Sequence, residues 1–102
     1  MNEYEIFSLI SEVLGFKTDQ IKSRSRKYDL VDARHITVYL LRNYTGLTLV
    51  EIGNMIKRHH TTVVNSIKKA KDYRKYNTKF KHKFQRAQKA IENHYIDRRM
   101  II

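Results

Sequence analysis

LTLVEIGNMIKRHHTTVVNSIKKA, Leu47 to Ala70, decides the fold. Thr48 is placed as an N-cap, Glu51 three residues on completes a capping box, and Leu47 stands where a staple onto Ile52 is made. The apolar positions Leu49, Ile52, Met55 and Ile56 run out at Lys57. After about three polar residues, Val63, Val64, Ile67 and Ala70 resume the helical period. Two short helices joined by a polar turn, the second one basic, make the pattern of a helix-turn-helix over about residues 48–71.

The flanks agree with a helical chain. Proline is absent and glycine occurs only three times in 102 residues. Upstream, Ile6, Phe7, Ile10, Val13 and Leu14 recur at helical spacing and stop at Gly15, a left-handed cap. Thr18, with Asp19 and Gln20, is placed to cap a short second helix through Ile21. KSRSRKYD, Lys22 to Asp29, alternates serines with long cations and reads as a basic loop. From about Asp32 to Tyr44 the positions Ala33, Ile36, Tyr39, Leu40 and Tyr44 predict a core-facing helix. Downstream, Tyr73, Tyr76, Phe80, Phe84, Ala87, Ile91 and Tyr95 continue the period as a basic tail helix over about 72–99, with a break near Asn77 and a recap at Thr78. That aromatic stripe is read as packing against the first helix rather than as a platform for bases. The expected class is all-α: one domain, residues 1–102, a compact bundle of five to six helices containing the helix-turn-helix.

Charge narrows the partner. The chain holds 21 Lys and Arg against 10 Asp and Glu, a net charge of +11. Residues 1–22 contribute four acids and two bases, so 19 bases face six acids over residues 23–102. Such a field attracts polyanions, because each neutralised phosphate releases condensed counterions. Nucleic acid leads, and an anionic membrane surface, met by Lys71 to Lys89, comes second. Without cysteine there is no disulfide framework or thiolate metal site. The acidic, amphipathic N-terminus has no basic n-region or apolar h-region, and no stretch reaches membrane-spanning length, so the chain is expected to be mature and cytoplasmic, associated with the nucleoid.

The histidine pair invites other chemistry. Adjacent His59 and His60 cannot easily face one ion, and no H-x-x-H or H-x-x-x-H pair supplies further ligands, so a zinc site is disfavoured. Tyr73 or Tyr76 as a DNA-nicking nucleophile lacks the usual metal cluster, and no phosphate-binding glycine loop or Ser, His and Asp grouping is present. The expectation is a binding protein, not an enzyme, with no cofactor. In the major groove, Thr61 and Thr62 offer a hydroxyl and a methyl to base edges, and His59 and His60 offer ring nitrogens. The bland counterpart is a capping threonine beside solvated turn histidines.

LTLVEIGNMIKRHHTTVVNSIKKA, preceded by SRSRKYDLVDARHITVYLLRNYTG, resembles the C-terminal DNA-binding domain of the bacterial replication initiator DnaA, over about Ile6 to Ile91 and most densely from Arg24 to Lys69. Glu51, Ile52, Gly53, His60, Thr61, Thr62 and Val63 match its glutamate-isoleucine-glycine segment and its Asp-His-Thr-Thr-Val signature. The resemblance implies a Trp-repressor-like helical fold that binds duplex DNA at DnaA-box-like sites. It places His60, Thr61 and Thr62 on bases, with His59 and Asn65 beside them, and Arg26 in the adjacent minor groove, with Arg24 the near alternative. Arg24, Lys27, Arg34, Thr48, Arg58, Lys68 and Lys69 are the expected backbone contacts. His59 stands where the family has aspartate, the turn is one residue shorter, and Lys57 and Arg58 replace residues that tend to be glycine. DnaA couples this domain to an ATPase module, and no Walker A motif is present here. The expected role is replication initiation control or transcription regulation by a stand-alone monomer that binds double-stranded DNA, with replication proteins as further partners. The alternative is an adaptor of the replication machinery with only nonspecific nucleic-acid affinity.

Overall fold

The computed structural model describes the backbone of residues 1–101 and the side chains of residues 1–94. Among the described residues six helices follow in order: α1 (Glu3–Leu14), α2 (Thr18–Lys22), α3 (Tyr28–Tyr44), α4 (Leu49–Ile56), α5 (His60–Tyr76) and α6 (Thr78–Ile101). Among the described residues there is no strand.

The first stripe folds as its spacing requires. Ile6, Phe7 and Ile10 are buried on α1, while Val13 and Leu14 pack at its margin. Gly15 ends the helix at φ +84°, and its N–H and that of Phe16 donate to the carbonyls of Glu12 and Ser11. Glycine carries no Cβ penalty in that left-handed cap. α2 departs from expectation in its cap. Thr18 is its first helical residue, and the cap position falls on Lys17, whose N–H donates to Gln20 Oε1 at 2.8 Å.

α3 begins at Tyr28, four residues before the apolar period suggests. Its first turn follows Lys27, which makes no side-chain cap, so no start signal marks it, and tertiary bonds help to hold it. Lys83 on α6 donates to Asp29 at 3.0 Å and to Asp32 at 3.3 Å. Burial raises the Asp32 carboxyl, and its bond to Lys83 only partly offsets that. The basic loop is therefore shorter than expected, Ser23 to Lys27. α3 runs through the middle of the molecule, and Asp32, Arg34, His35 and Thr37 are buried along it with the apolar residues.

The break after α5 falls at Asn77, whose side chain accepts from the N–H of Phe80 at 3.0 Å. Asn77, not Thr78, is the cap. α5 therefore extends to Tyr76, beyond the expected end of the recognition helix near 71. On α6, Phe80, Phe84, Ala87 and Ile91 are fully buried, and the helix packs chiefly along α1. Tyr73 meets Phe80 edge to face, whereas Tyr76 is 85% exposed because the break turns it off the stripe. Tyr95 lies outside the described side chains. All six helices contribute to one apolar cluster, which leaves no apolar face of 71–89 for a membrane surface to cover.

Candidate nucleic-acid interface

α4 and α5 form the helix-turn-helix, and its turn is built on two unusual backbone positions. Gly53 lies buried where α4 meets the turn: a Cβ there would overlap the Arg58 carbonyl oxygen and press on the Val63 side chain. The Arg58 N–H donates back to the Gly53 carbonyl at 2.8 Å, so the chain reverses directly against this glycine. Lys57 then takes φ 57°, ψ 48°, a left-handed cap made by a residue with a Cβ. Such a residue costs about 1 kcal/mol relative to glycine in the same conformation. The start of α4 is closed by the capping box: Thr48 Oγ1 accepts from Glu51 N–H and Glu51 accepts from Thr48 N–H. Those bonds hold the Glu51 carboxyl below its ordinary value.

His59 is the N-cap of α5. Its Nδ1 accepts from the Thr61 N–H at 3.3 Å and lies 2.9 Å from Thr61 Oγ1. A ring that accepts at Nδ1 carries its proton on Nε2 when neutral, which leaves a donor facing outward. The rings of His59 and His60 lie 4.3 Å apart at 37°. From His60 to Ala70 of α5, Val63, Ser66 and Ala70 are buried, whereas His60, Thr61, Thr62, Asn65, Lys68 and Lys69 are exposed. Thr61, Asn65 and Lys68 follow at steps of four and three, and so form one outward strip.

The helix is seated from below by His35 of α3, whose Nδ1 lies 3.0 Å from Ser66 Oγ. Burial, with Lys69 and Arg34 nearby, lowers His35 to about 4. It is therefore neutral at pH 7.

The basic loop is held as firmly as the turn. Ser23 Oγ donates to the Gln20 carbonyl at 2.6 Å, Ser25 N–H donates to Ser23 Oγ at 3.4 Å, and Lys27 N–H donates to Ser25 Oγ at 3.2 Å. Serine at alternate positions thus folds the loop on its own side chains, and Arg24 and Arg26 between them are exposed. Two further arginines clamp its base. Arg34 donates from Nε to the Ile21 carbonyl and from Nη2 to the Ser23 carbonyl, both at 2.7 Å. Arg58, from the helix-turn-helix turn, donates to the Lys22 carbonyl at 3.2 Å and to the same Ser23 carbonyl at 2.5 Å. Burial, then the charge of Arg58, lowers Arg34, which remains a cation.

Loop and turn together enclose a notch of about 400 Å³, lined by Arg24, Ser25, Arg26, Arg34, Lys57, Arg58 and His59. Among the described residues no side chain lining it is acidic. The structure thus brings together Arg24, Arg26, Arg34 and Arg58 with His59 at the start of α5. Lys27 is exposed at the start of α3, and Thr48 is exposed at the far end of α4 from the turn. Lys57 and Ser25 join the site although they were not singled out; the signal for Lys57 is its place in the turn, and for Ser25 its alternation with arginine. Among the described residues no group of three His, Asp or Glu side chains is placed to hold a metal ion, and no helix is long and apolar enough to cross a membrane.

A family model described as bacterial dnaA protein helix-turn-helix matches residues 4–70. The chromosomal replication initiator protein DnaA of Ureaplasma parvum serovar 3 is 44% identical over 66 residues, which are 64% of this chain and 14% of that protein. The protein of the same description from Pseudothermotoga lettingae is 37% identical over 70 residues, 69% of this chain and 16% of that protein. In Porphyromonas gingivalis the figures are 32% over 85 residues, 82% of this chain and 18% of that protein. The chain thus spans less than a fifth of the length of these relatives.

Proposed function

The chain belongs to the bacterial DnaA helix-turn-helix family, a family of DNA-binding domains, and from that premise we propose that it reads a specific duplex sequence of the kind a replication initiator occupies. The observation that carries this reading is the clamp on the Ser23 carbonyl, which fixes the arginine loop to the turn that starts the recognition helix. The N-terminal end of α5 enters the major groove. Thr61, Thr62 and Asn65 meet base edges, with His60 and the Nε2–H of His59 beside them. Arg26 reaches the adjacent minor groove with Arg24 next to it, and the cationic notch takes the phosphates between the two grooves. Lys68 and Lys69 hold the flanking backbone, and Lys27 and Thr48 extend the phosphate contacts at either side.

Arg34 and Arg58 contribute charge to the notch while their donors hold the loop. His59 has the donor and acceptor pattern of a capping imidazole in place of an aspartate, so the recognised sequence differs from the family's at the base it faces. The domain acts as a monomer by occupying such sites, in control of replication initiation or transcription.

Selection of bound sequences from a random duplex pool should return one short asymmetric site. Anisotropy at 150 mM salt should then separate the selected duplex from its scramble, and equal affinity for both would overturn the reading. Thr61→Ala should weaken the selected duplex by about 1 kcal/mol and leave the scramble unchanged, whereas Lys69→Ala should weaken both alike and lower the salt slope by about 1.

A further inference from the structure

The notch accounts for only part of the positive charge. A second groove, of about 390 Å³, runs between the C-terminal half of α5 and α6 and is lined by Lys71, Arg74, Lys75, Lys81, Gln85 and Gln88, with Tyr39 among them. Its cations lie beyond residue 70, where the family match ends. Lys71, Lys75 and Lys81 are exposed, and among the described residues the ion pairs found are those of Lys83, which leave these three without a carboxylate. Lys71 and Lys75 stand one helical turn apart, an arrangement of like charges that destabilises a helix slightly unless an anion covers it. Arg74 is packed between α3 and α6: its guanidinium lies 4.4 Å from the Phe84 ring centroid and 5.5 Å from that of Tyr39, and donates to the Tyr39 hydroxyl at 3.2 Å. A packed cation thus sits beside three exposed ones.

We propose that this groove grips the sugar–phosphate backbone of a second duplex segment, so that one molecule holds two DNA arms. Distance separates it from the first site. At 1.5 Å per residue, Lys71 lies about 15 Å and Lys75 about 21 Å along α5 from Thr61. Lys69, the last residue assigned to the first duplex, lies about 12 Å along by the same measure, and Lys81 stands on the other helix, so the groove begins where the first set of contacts ends.

The lining chooses the partner. Single strands are held by bare aromatic faces on which bases stack. Here the Tyr39 ring is covered by Arg74 and meets Phe84 edge to face, and Phe80 and Phe84 are fully buried. What remains is ammonium and amide donors, which suit phosphate oxygens and read no sequence. Among the described residues the same burial leaves no apolar face of α6 to insert into lipid.

The proposal rests on the helix-turn-helix holding the first duplex, and the test separates the two. A selected duplex is immobilised, saturated with the protein and washed, and a fluorescent scrambled duplex is then added at 100 mM salt. Wild type should capture the second duplex. The triple variant Lys71→Gln, Lys75→Gln, Lys81→Gln should hold the immobilised duplex as before and lose at least about tenfold of the capture. Undiminished capture by the triple variant overturns the proposal. So does a wild-type protein that holds the first duplex and captures no second one, or that prefers single-stranded oligonucleotide or anionic vesicles to duplex. If no duplex is selected at all, the reading of the helix-turn-helix fails instead. The groove is then tested by titrating scrambled duplex: the triple variant should lower the salt slope by about 2 to 3, and an unchanged slope overturns it.

Discussion

Two basic regions of this molecule hold their charge in opposite ways. In the loop and turn, Arg24 and Arg26 stand on a backbone that two buried or half-buried arginines tie to a single carbonyl. In the α5–α6 groove, Lys71, Lys75 and Lys81 are exposed, and among the described residues no carboxylate is paired with them. The first region has charge at fixed positions, which is what reading a groove requires. The second has charge on long flexible stems, which is enough to hold a backbone. Cation density does not separate a reader from a holder; the hydrogen bonds beneath the cations do.

The largest expected effect tests whether the reader depends on its seat. His35 supports α5 at Ser66 and is lowered by burial to about 4 from an unfolded value near 6.5. Between those values the unfolded chain binds a proton that the folded chain refuses. Stability is therefore complete above pH 6.5 and is lost as pH falls toward 4, by up to about 3 kcal/mol. Urea midpoints across that range check this, and His35→Gln should flatten the profile.

Gly53→Ala breaks the comparison from the other side. Its Cβ meets the Arg58 carbonyl oxygen, which is backbone and has no room to yield without moving the clamp. Destabilisation of about 2 to 3 kcal/mol is expected. Preference for the selected duplex should vanish while attraction to scrambled duplex at low salt remains, because the groove on α5 and α6 is untouched.

How much of this was legible in the sequence depends on how local the cause is. The box of Thr48 and Glu51 is made within four residues, and it was found where the sequence placed it. The aromatic stripe of α6 was equally plain, since Phe80, Phe84, Ala87 and Ile91 carry the period themselves. The cap at Asn77 was missed by one position, because Asn and Thr are both common caps and the backbone chooses between neighbours. The early start of α3 was hidden, because no cap marks it at Lys27 and Lys83, 54 residues from Asp29, helps to hold its first turn. At the site, exposed residues of α5 follow from helical spacing. The double hold on Ser23 does not: Arg34 and Arg58 are 11 and 35 residues from it, and a basic residue near a basic loop looks like another phosphate contact.

Arg58→Lys separates those two roles. A lysine keeps the charge and still reaches phosphate, but it lacks the planar fork that donates to the Lys22 and Ser23 carbonyls together. Preference for the selected duplex should fall about tenfold, equivalent to about 1.4 kcal/mol, with the salt slope unchanged. Equal preference in Arg58→Lys and wild type would make Arg58 a simple phosphate contact and remove the distinction between the two basic regions.

The smallest effect has the opposite sign. Lys57 holds a left-handed conformation at φ 57° while its side chain is exposed beside the notch. Lys57→Gly relieves the clash between Cβ and the backbone, and loses part of that gain to the greater freedom of glycine in the unfolded chain. The net stabilisation should be about 0.5 kcal/mol, read as a higher urea midpoint. Binding should move the other way, since one cation leaves the notch: selected and scrambled duplexes should weaken by the same factor, with the ratio between them preserved. A loss of that ratio would place Lys57 among the readers, and the strained turn would then be serving to aim a side chain rather than only to shorten the path from α4 to α5.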